Sequence, residues 1–138
     1  MLQNKRKTIG VFAEVKEEFQ MRLCQGIIEE AELQGYNVAI FTNYGKYGQN
    51  NQHFIGDQMI WDLPCYEEFA GLILALDTMS EKSSRQKILD NVKKYCHCPV
   101  AFAKKWREQS TFLWKIRPGW QDLSGILLNY MEKSGFVL

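Results

Sequence analysis

The sequence predicts an α/β fold: a doubly wound parallel sheet of about five strands in the order 2-1-3-4-5, forming a single three-layer α/β/α lobe. Three observations carry this expectation. Short, nearly continuous apolar runs recur along the chain, TIGVFA from Thr8, NVAIFT from Asn37, GLILAL from Gly71 and PVAFA from Pro99. Such runs suit strands buried on both faces of a parallel sheet. Segments of helical period separate them, and the first helix, about 18 residues long, suffices for a right-handed crossover between parallel strands.

Each element has its own grounds. The start, including Lys5, Arg6 and Lys7, reads as a solvated tail. After TIGVFA a helix is expected from about Lys16 to Gln34, with Phe19, Leu23, Ile27 and Ala31 on one inward stripe. Glu17, Glu18, Glu29, Glu30 and Glu32 are expected in solvent. Gly26 interrupts this helix at a cost of about 1 kcal/mol, which close approach of helix and sheet would explain. Gly35 is placed to end the helix in a left-handed conformation. NVAIFT is then a second buried strand. The stretch from Asn43 to His53 is polar and glycine-bearing, long for a connection, and reads as a functional loop.

A short helical stretch is expected over Phe54–Leu63, stopped by Pro64. GLILAL follows as a third buried strand, ended by Asp77 and Thr78. Ser80, Ser83 and Ser84 offer N-caps for a second full helix, about Lys82 to Tyr95, with Ile88, Val92 and Tyr95 inward. PVAFA is the fourth strand, and Lys104 to Ser110 reads as polar surface. TFLWKI alternates like an edge strand. A third helix, about Trp120 to Lys133, aligns Leu123, Ile126, Leu127, Tyr130 and Met131, and Phe136-Val137-Leu138 resembles the start of a strand.

Composition narrows the function. With 138 residues and 46% hydrophobic content the chain is expected to be one domain with a substantial core. A net charge of +1 argues against a nucleic-acid surface built on bulk charge. No run approaches the roughly 18 apolar residues of a membrane span, and the basic start turns acidic without an apolar signal region, so a cytoplasmic location is expected. Cys24, Cys65, Cys96 and Cys98 are then expected as free thiols. Cys96-His97-Cys98 has the wrong spacing for a common zinc site and the other histidine is the distant His53, so no metal is expected. No dinucleotide fingerprint, Walker A motif or nucleophile elbow occurs, and neither catalysis nor a cofactor is expected.

Ligands of doubly wound sheets bind beyond the carboxyl ends of the strands. That rule selects Glu14 and Val15, Asn43 and Tyr44, Asp77 and Thr78, Lys104 and Lys105. A phosphoacceptor receiver site would need Asp77 beside acids after strand one and a lysine after strand five. Glu14 stands alone between Ala13 and Val15, and Lys115 falls within its strand, which leaves this a remote alternative.

TIGVF, Phe19, Gly26-Ile27-Ile28 with Glu30-Ala31, Gly35-Tyr36-Asn37-Val38, Gly71-Leu72-Ile73-Leu74 and Cys98-Pro99-Val100 resemble, in order and spacing, the first lobe of type I periplasmic-binding-protein-like domains, the sensor domains of LacI-type repressors and sugar-binding proteins. Tyr44-Gly45, Tyr47-Gly48, Asn50-Asn51, Leu63-Pro64 and Leu76-Asp77-Thr78 are similar to a bacterial subgroup found ahead of diguanylate cyclase (GGDEF) or other signalling outputs. The resemblance implies a sensor or regulator that binds a small, sugar-like molecule. By position its contacts would be Glu14, Phe19, Tyr44, Asp77 and Lys104, although the helical stripe makes Phe19 a core residue; the strand-end rule adds Asn43 and Thr78 as ligand-binding candidates. Residues 7–117 correspond to the lobe, and 118–138 to the start of an incomplete second lobe or a docking helix. A homodimer is therefore expected to supply the missing wall of the cleft. The alternative is an interaction or dimerisation module that has lost ligand binding.

Overall fold

The computed structural model of the chain describes residues 6–15, 18–43, 56, 59–106 and 110–115, with backbone alone at 19, 104–106 and 110–115. Strand β1 (Thr8–Glu14) is followed by helix α1 (Glu18–Leu33) and strand β2 (Asn37–Asn43). Two 3-10 turns, Met59–Asp62 and Tyr66–Glu68, lead into β3 (Gly71–Ala75), and a third, Leu76–Thr78, leaves it. Helix α2 (Lys82–Tyr95), β4 (Val100–Trp106) and β5 (Ser110–Lys115) complete the described elements. Of the loop expected from Asn43 to His53, Asn43 is the last residue of β2 and the rest lies outside the described residues, as do the helix expected over 120–133 and the last three residues.

The strands lie in the order β2-β1-β3-β4-β5. β1, β2, β3 and β4 run parallel. β5 departs from the all-parallel expectation: it runs antiparallel to β4, from Ala101 opposite Lys115 to Trp106 opposite Ser110. Only residues 107–109 join the two strands, whereas a parallel return needs a crossover of roughly a dozen residues or more. β4 thus continues through Lys104–Trp106, which the sequence reading assigns to surface.

The apolar runs differ in depth according to their place. β3 is buried throughout, and β1 is buried from its second residue onward. β2 is exposed at Asn37, half-buried from Val38 to Thr42 and buried only at Asn43, contrary to the expected buried strand, because it is the terminal strand of the order. Strand alternation divides the core into two clusters. Ile9, Val11, Ala13, Ile73 and Ala75 pack with Leu23, Cys24, Ile27 and Ala31 of α1. Phe12, Leu72, Leu74 and Val100 pack with Ile88 and Val92 of α2 and with Trp61, Tyr66 and Met79. Phe12 anchors the second cluster through ring contacts, at 5.1 Å to Phe41, 5.5 Å to Tyr66 and 6.2 Å to Trp61.

Both helices follow their predicted stripes with local corrections. In α1, Leu23, Ile27 and Ala31 face the sheet and Gly26 is buried. Glu18, Glu29 and Glu32 are exposed, but Glu30, expected in solvent, is buried. Its position three residues after Ile27 and seven after Leu23 sets it beside the stripe. Gly35 ends α1 at φ +83°, and Tyr36 N–H donates to Ala31 O at 2.8 Å. In α2 the inward stripe is Ser84, Ile88 and Val92, continued by Cys96. Tyr95, expected inward, is exposed, since the four-residue spacing of that stripe bypasses it. The residue before α2 is Glu81, which makes no side-chain cap. Neither Ser80, Ser83 nor Ser84 fills the expected capping position.

Gly10 of β1 packs directly against Leu72 and Phe69 of the second cluster. A Cβ there would meet Leu72 Cδ2 at 2.7 Å and the Phe69 ring at 3.2 Å. Gly10→Ala is expected to lower unfolding stability by about 1–3 kcal/mol through overpacking. Urea titration of both chains checks this, and an unchanged midpoint would show that Leu72 and Phe69 yield freely.

Candidate functional site

Parallel pairing aligns the strand ends. Glu14 is in register with Asn43 across β1 and β2, and Ala13 with Ala75 across β1 and β3. The pairing carries one step past β1, where Val15 N–H donates to Asn43 O at 3.2 Å. Whatever follows β3 must then pass beside the end of β1. Thr78 does so, accepting from Glu14 N–H at 3.0 Å and donating from Oγ1 to Ala75 O at 2.5 Å. Ser80 follows. Its N–H donates to Glu14 Oε2 at 3.1 Å and its hydroxyl to Glu14 Oε1 at 3.0 Å.

Glu14 is 1% exposed. A carboxylate at that depth needs donors, and Ser80 supplies two. Hydrogen bonds to a charged group contribute roughly 1.5–3 kcal/mol each. The Glu14–Ser80 contact therefore fastens the turn after β3 to the end of β1, across 66 positions of sequence. Asn43 is 6% exposed, and its Oδ1 is buried with no donor among the described residues. An unsatisfied buried acceptor costs about 1–3 kcal/mol, so this atom marks a place where a donor can be received.

Of the residues selected from sequence, the structure brings Glu14, Asn43 and Thr78 together at this edge. Asp77 lies in the adjoining 3-10 turn and is exposed. Lys104 is within β4, opposite Phe112 of β5, and Phe19 is in the first turn of α1; the structure describes both by backbone alone. Tyr44 lies outside the described residues. Ser80 is the residue that sequence reasoning misplaced, as a helix cap. The signal was available in the order 2-1-3, which sets the residue after β3's turn against the last residue of β1.

A groove of about 510 Å³ lies at the other end of the sheet, where Tyr66 and Glu67 precede β3 and Tyr95 ends α2. Asp62, Cys65 and Asn91 also line it. Its polar groups are largely engaged with one another. Asn91 Nδ2 donates to Trp61 O at 3.2 Å and to Asp62 Oδ1 at 3.1 Å, and Tyr66 donates to Trp61 O at 2.6 Å. The Lys87 ammonium, 2.5 Å from Asp62, and the Asn91 amide hold the Asp62 carboxyl below its ordinary value. Burial pushes the Tyr66 phenol up to about 12. Its internal pairing makes this groove an architectural feature rather than the preferred site.

Among the described residues no group of three or more His, Cys, Asp or Glu side chains is arranged to hold a metal ion. No described helix is long and apolar enough to cross a membrane. Comparison with known protein families and with curated proteins found no match to this chain.

Two outcomes follow for the groups described. In a double-mutant cycle, Glu14→Gln and Ser80→Ala should each destabilise the fold by about 1–3 kcal/mol, with a coupling of about 1 kcal/mol. Strict additivity in urea unfolding would separate the two residues. For Tyr66, the unfolded phenol titrates near pH 10 and the folded one near about 12. Between those values the folded chain binds more protons than the unfolded chain, so stability falls as pH rises through this window. Tyr66→Phe should flatten that alkaline slope, and equal slopes in the two chains would remove Tyr66 as its source.

Proposed function

We propose that this chain is a non-catalytic, ligand-sensing lobe of a bacterial transcription or signalling regulator, binding a small, polyhydroxylated, sugar-like molecule at the carboxyl ends of its strands. In this reading the finer architecture is a five-stranded, three-layer lobe working in the cytoplasm as a homodimer, whose second copy closes the cleft. Neither direct nucleic-acid contact nor a membrane is part of it. The reading rests on one observation: Asn43 Oδ1 is buried, without a donor among the described residues, beside the buried carboxylate of Glu14. A sugar hydroxyl is a donor and an acceptor at once, so it can satisfy the amide oxygen and still be recognised by a neighbouring group. The sequence resemblance supports the same ligand class.

The second reading, an interaction module without a ligand, is favoured by the outer face of α1. Met21 is 62% exposed and Ile28 is 40% exposed, and a spacing of seven residues puts them on one face. Large apolar groups left in solvent on one helix face suit a protein partner. The receiver-like alternative at Asp77 has less support, because Glu14 directs its carboxylate oxygens to Ser80.

A thermal-shift panel of monosaccharides and nucleosides, read together with light scattering, separates the first two readings. A bound ligand at 100 times its Kd stabilises the folded state by about 2.7 kcal/mol, so one panel member should raise Tm by several degrees in a dimeric chain. Asn43→Leu, of similar shape but without the acceptor, should abolish that gain while lowering basal stability by no more than about 1 kcal/mol. A dimer indifferent to every ligand favours the interaction module. A Tm gain that survives Asn43→Leu refutes the assignment of the site.

A further inference from the structure

Cys96 and Cys98 lie at the junction of α2 and β4, apart from the strand-end site. Cys96 N–H donates to Val92 O at 3.0 Å, closing α2, and the Cys96 backbone then turns extended at φ −89° and ψ 127°. Residues two apart in extended chain project to the same side. The C-x-C spacing accordingly brings the two sulfurs to 3.1 Å, within hydrogen-bonding distance. Pro99 follows at once and biases Cys98 towards extended backbone, which limits how far the thiols can separate. A disulfide needs about 2.05 Å, so closure asks for a movement of about 1 Å. Access is unequal: Cys96 is 2% exposed and packed in the second core cluster, while Cys98 is half-buried at its margin. The other two thiols differ. Cys24 is buried in α1, with its thiol pushed up by desolvation, and Cys65 is exposed beside the groove.

We propose that Cys96 and Cys98 form a reversible dithiol–disulfide site whose oxidant is hydrogen peroxide. Cys98, the more accessible sulfur, attacks as thiolate on one peroxide oxygen. The O–O bond breaks, Cys98 becomes a sulfenic acid, and the departing hydroxide takes up a proton and leaves as water. Cys96 sulfur then attacks Cys98 sulfur. The S–O bond breaks, the leaving hydroxide takes the Cys96 proton as a second water, and the S–S bond forms. The two sulfurs together lose two electrons and the peroxide gains them. A small dithiol such as dithiothreitol reverses the step by exchange.

The test uses the full chain carrying Cys65→Ser, which removes the exposed thiol and its intermolecular cross-links. After peroxide treatment, denaturation, alkylation with iodoacetamide and trypsin digestion, both sulfurs fall in the peptide Tyr95–Lys104. The expected peptide carries no alkyl group, is about 2 Da lighter than the reduced form, and takes two alkyl groups after dithiothreitol. The disulfide should form at least several-fold faster in the folded chain than in urea. In the same background Cys96→Ser should accumulate a dimedone-reactive sulfenic acid at Cys98, whereas Cys98→Ser should react far more slowly. Sulfinic acid at Cys98 with Cys96 alkylated would overturn the proposal. So would equal rates in folded and urea-unfolded chain, which would reduce the pair to mere sequence neighbours, or equal reactivity of the two single variants.

Discussion

Every backbone polar group of a buried strand must be paired within the protein, and β1 is the strand on which that requirement falls hardest. Its residues from Ile9 to Glu14 are buried, so both edges must be bonded, and β2 and β3 flank it in parallel. Its two faces must also be covered by apolar groups. Ile9, Val11 and Ala13 meet α1, while Phe12 meets the aromatic cluster that α2 closes. Gly10 carries no Cβ because Leu72 and Phe69 already fill the space. Central placement of β1 sets the order of its neighbours, and that order determines which chain ends meet at the carboxyl edge.

What could be read from sequence is what depends on local pattern. The four strand-forming runs, the α1 stripe and the left-handed Gly35 each follow from a few residues and a period, and the described structure places them where that pattern leads, although the β2 run is half-buried rather than buried. What escaped depends on neighbours remote in the chain. Glu30 and Glu29 look alike in sequence, but only Glu30 lies beside the stripe that packs on the sheet. Tyr95 fits the helical period about as well as Val92, yet the stripe passes to Cys96 at the helix end. The antiparallel β5 was legible in the shortness of its connection but hidden by treating Lys104–Ser110 as surface.

The candidate site was legible in outline and not in detail. A topological rule names the strand ends, and Glu14, Asn43 and Thr78 meet there. It does not say which polar groups turn to the fold and which are left over. Ser80 looked like a cap because helices need caps. The competing demand was stronger: a carboxylate 1% exposed loses more without donors than a helix loses without a side-chain cap.

The two ends of the sheet therefore use their polar groups differently. At the amino end, Asn91, Tyr66 and Lys87 donate to the Trp61 carbonyl or to Asp62, while the enclosed Trp61 indole N–H has no acceptor among the described residues. Such a set rigidifies and has little left to offer a ligand. At the carboxyl end the Glu14–Ser80 contact satisfies the group most costly to strand, the charge, while Asn43 Oδ1 next to it is unsatisfied among the described residues. A natural fold keeps an uncompensated buried acceptor at a stability cost, and such costs concentrate where function needs them. The groove is thus the poorer candidate and the polar edge the better one. The kind of unsatisfied group separates the two: an acceptor, Asn43 Oδ1, beside a buried carboxylate at the carboxyl end, and at the other the Trp61 indole N–H, enclosed at 0% exposure in the aromatic cluster.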